Sequence, residues 1–258
     1  MQYGRKGEAE NLPHFLIFVF AMLPQLFRPT VASVFAETLG RLNMELPSAG
    51  LASVAYWLHF SRWCKLHPIP RLANGKYGKG RSWLWESVVQ KEGLGGLPIQ
   101  YLEFGVYRGE SLSWWLKRLS HPNARFAGFD TFTGLPERWR RSEPLGAFNV
   151  DGKLPDIKDP RCSFEVGLFQ DTLPGFIERN DLSGRLIVQL DADLYTSTLF
   201  VLTRLAPHLK SGDILFFDEF SCPVDEFRAF HEFVRSFHVK YEFMGAVYGY
   251  TRVCVKIL

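Results

Sequence analysis

Several features that would fix a function at once are missing from these 258 residues. There are only four cysteines, Cys64, Cys162, Cys222 and Cys254, far apart in sequence. None forms a CxxC or Cys-His pair at zinc spacing, so a structural zinc site and a disulfide framework are both unexpected. That points to a reduced, cytoplasmic setting. The formal net charge is only +3, with 30 basic and 27 acidic residues scattered along the chain. The basic stripe that nucleic acid demands is lacking. No GxGxxG dinucleotide fingerprint occurs, which argues against a nicotinamide-dependent dehydrogenase. There is no internal repeat and no low-complexity tract. No apolar run is long enough for a spanning helix of about 20 residues. The most apolar stretch, "LPHFLIFVFAMLPQLF", is continuous only from Phe15 to Leu23 and is interrupted by Pro24 and Arg28. Arg5 and Lys6 precede it, but a clean signal cleavage pattern is absent. A packing or dimerising helix is the first expectation for it, with contact at a membrane surface second.

What is present is apolar content, 47% hydrophobic and 15% aromatic, enough for one large buried core. Residues 12 to 66 are helical in pattern and aromatic, closed by the Pro/Gly/Lys loop "HPIPRLANGKYGKG". From there short apolar runs alternate with helix-spaced segments. "LPIQYLEFG", "ARFAGFD", "RCSFEVG", "GRLIVQLDAD" and "GDILFFDEF" are strand-like. "GESLSWWLKRL", "QDTLPGFIER", "STLFVLTRLAPHL" and "VDEFRAFHEFVRSF" are helical, and "YEFMGAVYGYTRVCVKI" forms a hairpin around Gly249. Such alternation predicts an α/β domain with a parallel sheet covered on both faces. We expect a helical N-terminal extension over 1–80 and the sheet domain over 81–258. Residues 133–160, long, polar and rich in Pro and Gly, are expected to form a lid or to be disordered.

Open parallel sheets bind ligands beyond the carboxyl ends of their strands, and unusual groups gather there. The first strand ends "LEFGVYRGES", where glycines permit a tight turn and a helix N-terminus follows. Glu103 would offer an acceptor to a ligand amine. The second ends in Asp130, suited to a ribose diol or to capping. After the third, Gly167 and Phe169 would leave room for a flat base and cover it, although a phenylalanine there also serves as core. The fourth and fifth ends carry Asp191, Asp193, Asp218 and Glu219. Four converging carboxylates repel one another without a counter-charge. A hard divalent cation, magnesium or manganese, is the obvious partner, with helix capping the plainer alternative for one or two of them. His231 beside Glu232 and His208 near a helix end are second-rank candidates. Trp114 and Trp115 are expected to pack, and "ERWRR" around Trp139 to lie in the lid.

The blocks "YLEFGVYRGES", "FDTFTGLPE", "GLFQDTLP", "VQLDADLYTST" and "LKSGDILFFDEF", in this order and spacing, resemble the macrocin O-methyltransferase family. The resemblance implies a Rossmann-like class I methyltransferase domain with a mostly parallel seven-stranded sheet and a C-terminal antiparallel hairpin. It implies S-adenosylmethionine as methyl donor. Glu103, Gly105, Tyr107, Gly109, Glu110 and Ser111 would surround its methionine half. Asp130, Thr131 and Phe132 would hold the ribose, and Gly167 and Phe169 would flank adenine. It also implies Mg2+ bound by Asp191, Asp218 and Glu219, with Asp193 as general base. The family usually has two aspartates where this chain has Asp218-Glu219. The implied acceptor is a hydroxyl on a glycosylated natural product or glycan. Two rival readings remain open: a DxD metal-dependent glycosyltransferase, and a catalytically silent methyltransferase-like binding protein.

Overall fold

Five apolar runs become parallel strands, and the C-terminal hairpin completes their sheet. The architecture comes from a computed structural model, in which residues 48–69, 80–140, 142–247 and 249–258 are described. The apolar segment at 15–23, and the dimer and membrane expectations attached to it, lie outside those residues. Numbering the described elements in chain order, helices α1 (Ser48–Leu66) and α2 (Arg81–Glu92) precede strand β1 (Gln100–Phe104). Then come α3 (Glu110–Arg118), β2 (Arg125–Asp130), β3 (Cys162–Val166), α4 (Phe169–Arg179) and β4 (Leu186–Leu190). The chain ends with α5 (Tyr195–Leu205), β5 (Ile214–Phe217), α6 (Glu226–Ser236), β6 (Tyr241–Val247) and β7 (Arg252–Ile257). The sheet order is β3-β2-β1-β4-β5-β7-β6. β7 runs antiparallel to β5 and β6, and the other neighbours are parallel.

Period-two alternation sorts the strand residues onto two faces. Leu102 and Phe104 of β1 join a core with α1, α4, α5 and α6. Tyr101 joins the opposite core, with Leu84, Trp85, Val88 and Val89 of α2 and Leu112, Trp115 and Leu116 of α3. Helix α2 is an element that the motif reading passed over. Its signal is the spacing of those four buried residues, helical by periodicity but set directly after a glycine-rich loop. Helix α1 is anchored by Trp63, which packs edge-on to Phe243 and donates its indole N–H to Tyr241 Oη at 2.8 Å. Trp63→Ala is expected to cost ~3–5 kcal/mol, the usual range for emptying a buried aromatic site, and a denaturant melt would register it. Among the described residues no helix is long and apolar enough to cross a membrane. All four cysteines are free thiols.

Chain order places the switch point between β1 and β4. From β1 the chain moves outward through β2 and β3, then returns to the other side of β1 as β4. The loops leaving β1 and β4 therefore diverge to opposite sides and open a crevice.

Candidate active site

A cavity of about 360 Å³ occupies that crevice. Gly105 follows β1, Asp130 ends β2, Asp191 follows β4 and Asp218 follows β5; all four line it. At their first residues, before they diverge, the loops from β1 and β4 nearly touch. Gly105 has φ +93°, and a Cβ there would lie 1.9 Å from the Asp191 carbonyl oxygen. Glycine is required on both counts, since side chains rarely adopt that φ and there is no room for one.

On the β1–β2 side, Asp130 organises the wall. Its Oδ2 accepts the backbone N–H groups of Val106 and Tyr107, each at 2.8 Å, and its Oδ1 accepts that of Phe132 at 2.8 Å. One carboxylate thus locks two loops together, and Tyr107 (φ +51°) and Phe132 (φ +55°) are held in left-handed conformations. Three hydrogen bonds leave an ionised carboxylate with acceptor capacity to spare. Tyr107 and Thr131 line the cavity, and Phe132 is buried behind it. Phe169 lines it together with Leu168, while Gly167 uses its N–H on the Asp130 carbonyl.

Glu103 lies behind the cavity wall. It is fully buried and outside the cavity lining, with Tyr101 Oη donating to one oxygen at 2.6 Å and Ser111 Oγ to the other at 2.5 Å. Burial pushes its carboxyl up to about 7, against the pull of those hydrogen bonds and of Arg81. Gly109, Glu110 and Ser111 are likewise outside the lining. A Cβ on Gly109 would meet the Pro155 ring at 2.8 Å, so the lid loop packs against the start of α3.

The acidic side is more crowded than its sequence suggests. Asp191, Asp193, Asp218 and Glu219 all line the cavity, and three arginines face them. Arg81 Nη1 lies 3.2 Å from Asp191 Oδ2 and 3.5 Å from Asp218 Oδ2. Arg252 forks onto both oxygens of Asp218, Nε to Oδ1 at 3.1 Å and Nη2 to Oδ2 at 3.0 Å. Arg140 Nη2 is 3.6 Å from Glu219 Oε2. Burial and the charges of Asp218 and Asp193 push Asp191 well up, against Arg81. Asp193 (φ +60°) is 8% exposed; burial first, then Glu219 and Asp218, pushes it up to about 7. Glu226, fully buried in α6, accepts the Glu219 N–H at 2.9 Å and so shapes the loop after β5.

This geometry does not support the expected Mg2+ site of Asp191, Asp218 and Glu219. The carboxylates named for the ion are already engaged by guanidinium groups. Among the described residues, no group of three His, Cys, Asp or Glu side chains is arranged to hold a metal ion. The residues present do not fit a divalent cation.

Described residues of the segment 133–160 close the outer wall. Gly134, Leu135, Pro136, Trp139 and Phe148 all face the cavity. Trp139 donates its indole N–H to Asp225 Oδ2 at 3.0 Å, and Arg140 stacks on the Trp139 ring at 3.7 Å. The residues that the motif reading missed are Arg81, Arg252, Glu226 and this lid tryptophan's anchor, Asp225. The helical spacing of α2 was a usable signal for Arg81's element, though not for its target.

The model of the family "Macrocin-O-methyltransferase (TylF)" matches residues 61–245. That begins well before the sequence blocks that carry the resemblance. The chain is similar to an 8-demethyl-8-(2,3-dimethoxy-α-L-rhamnosyl)-tetracenomycin-C 4'-O-methyltransferase of Streptomyces olivaceus, with 29% identity over 147 residues. That match covers 49% of this chain and 54% of the relative, so the chain spans about half the relative's length. It is also similar to the mycinamicin III 3''-O-methyltransferase of Micromonospora griseorubida, with 25% identity over 186 residues, 64% of this chain and 71% of the relative. Among solved structures, the calicheamicin methyltransferase CalS11 aligns over 99% of both chains with TM-score 0.54 and 18% identity. The O-methyltransferase NovP aligns over 66% of this chain and 75% of its own, with TM-score 0.51 and 23% identity. These likenesses establish the Rossmann-like class I methyltransferase fold.

Proposed function

The chain belongs to the macrocin O-methyltransferase family, and from that premise we propose that it transfers a methyl group from S-adenosylmethionine to a hydroxyl on a sugar-bearing natural product. The observation that carries this reading is the cavity at the switch point, where Gly105 and Asp130 on one side face Asp191 and the nearly buried Asp193 on the other; burial pushes the Asp193 carboxyl up to about 7. S-adenosylmethionine, when bound, supplies a methyl group already activated on a positive sulfur. The difficulty lies with the acceptor, because a hydroxyl pKa near ~16 resists an ordinary aspartate of about 3.9. Asp193, a base near neutrality, would take the acceptor's proton while the donor, once bound, would give up its methyl group and leave as a neutral thioether.

The other residues bind and orient. Asp130, with its spare acceptor capacity, suits the ribose hydroxyls. Leu168 and Phe169 offer an apolar wall for the adenine. Gly105 and Tyr107 border the remaining space towards the acids. Glu103 acts from behind this wall, holding α3 through Ser111. The lid, through Trp139, shields the acceptor side from water. Sugar acceptors are suggested by the rhamnosyl group in the name of one relative. A DxD nucleotide-sugar site is not favoured, since Asp191 is already paired with Arg81.

Calorimetric titration with S-adenosylhomocysteine tests the reading directly, followed by methylation assays on rhamnosylated acceptors. One site per chain is expected, and absence of binding sinks the proposal. Asp130→Ala removes the acceptor for three N–H groups as well as the ribose partner. Its S-adenosylhomocysteine Kd should rise at least ~10-fold, since hydrogen bonds to a charged group are each worth ~1.5–3 kcal/mol.

A further inference from the structure

We infer that Arg81 stands where the family resemblance puts a divalent cation, so that the acidic cluster of this chain is closed by guanidinium groups and its chemistry runs without a bound metal ion. The consequence for catalysis rests on the methyl-transfer reading; the assignment of the counter-charge does not.

One cationic nitrogen of Arg81 lies between Asp191 and Asp218, 3.2 and 3.5 Å from their nearest oxygens. That position lies between two of the carboxylates that the resemblance assigns to the ion. Asp218, almost wholly buried, also has both oxygens engaged by the fork of Arg252. A small dication binding there would have to displace one guanidinium and face another at close range.

The placement of Arg81 is built into the fold. Arg81 opens α2, and its guanidinium lies over the ring of Trp85, one turn further on, at 5.4 Å. Trp85 is buried and donates its indole N–H to Gln189 at 3.2 Å. Gln189 belongs to β4, the strand that delivers Asp191. The platform under Arg81 and the carboxylate in front of it are therefore positioned by the same strand. A planar guanidinium suits this place because it can bridge two carboxylates and stack at once, which a lysine ammonium does less well. Burial opposes its charge, but the carboxylates of Asp218 and Asp191 outweigh that and hold it protonated. On the methyl-transfer reading, Arg81 is a positioning residue that fixes Asp191 and leaves Asp193 to meet the acceptor.

The test is Mn2+ binding to the full chain after dialysis against EDTA, followed by the loss of the free-ion electron paramagnetic resonance signal. Wild type should show no site tighter than about 1 mM, whereas Arg81→Met, which keeps a stem over Trp85, should bind at least about tenfold more tightly. A stoichiometric wild-type site that Asp218→Asn abolishes would overturn the inference. So would an Arg81→Met protein that is folded yet still takes up no Mn2+. If Arg81→Met does not fold, turnover of the EDTA-treated wild type decides. An unchanged rate supports the inference, and a loss restored by Mg2+ overturns it. S-adenosylhomocysteine titration in the same buffer separates the two claims: failure there sinks methyl transfer and leaves the Mn2+ result standing.

Discussion

On the proposed reading, Asp193→Asn is expected to lower kcat by about 10²–10⁴-fold, the usual contribution of a positioned general base, and to leave S-adenosylhomocysteine affinity within about threefold of wild type. The substitution keeps the side chain's size and removes its proton affinity. Asp193 lies at the acidic end of the cavity, away from the Asp130 wall that faces the cofactor in the proposed reading. Fold should be retained or improved, because the wild-type carboxylate is disfavoured in its charged form by burial and by Glu219 and Asp218. Wild-type activity should fall on the acidic side of neutrality, as Asp193 takes up a proton and ceases to be a base. A variant with full turnover would remove Asp193 from the mechanism. A variant that has also lost cofactor affinity would show that it is a binding group instead.

Gly105→Ala is expected to damage fold and site together. The added methyl would lie 1.9 Å from the Asp191 carbonyl oxygen, at a backbone angle that alanine avoids. Strain at φ +93° alone is worth ~1–3 kcal/mol, and the clash with backbone cannot be relieved by a rotamer change. Relief requires the loops from β1 and β4 to separate, which displaces Asp191 relative to Arg81 and tilts the Asp130–Val106 clasp. Thermal unfolding should fall by several degrees, and S-adenosylhomocysteine binding should be lost in the protein that remains folded. Gly146 makes a useful control: its φ is also positive, +79°, but nothing lies within 4 Å of a Cβ there. If Gly105→Ala behaved like Gly146→Ala, the close approach of the two loops would carry no functional weight.

The strands and the chemistry at their ends were legible in sequence because both are local. Short apolar runs ending in Gly105, Asp130, Asp191 and Asp218, alternating with helical segments, announce a parallel sheet and a polar rim, and the ordered blocks identify the family. The charge balance of the rim was not legible. Arg81 lies 110 residues before Asp191, and Arg252 lies 34 residues after Asp218. Nothing in the motif around either acid names its partner. A sequence shows four carboxylates in need of positive charge; it does not show whether a metal or an arginine answers them. Glu103 illustrates the same limit. Its place beside the glycine turn suggests a ligand contact, whereas strand alternation turns it towards Tyr101 and Ser111. Sequence by itself settled the fold class, the family and the acids that end the strands. Tertiary structure decided which of them face the cavity and what neutralises them, because side-chain direction and counter-charge depend on elements brought together only by folding.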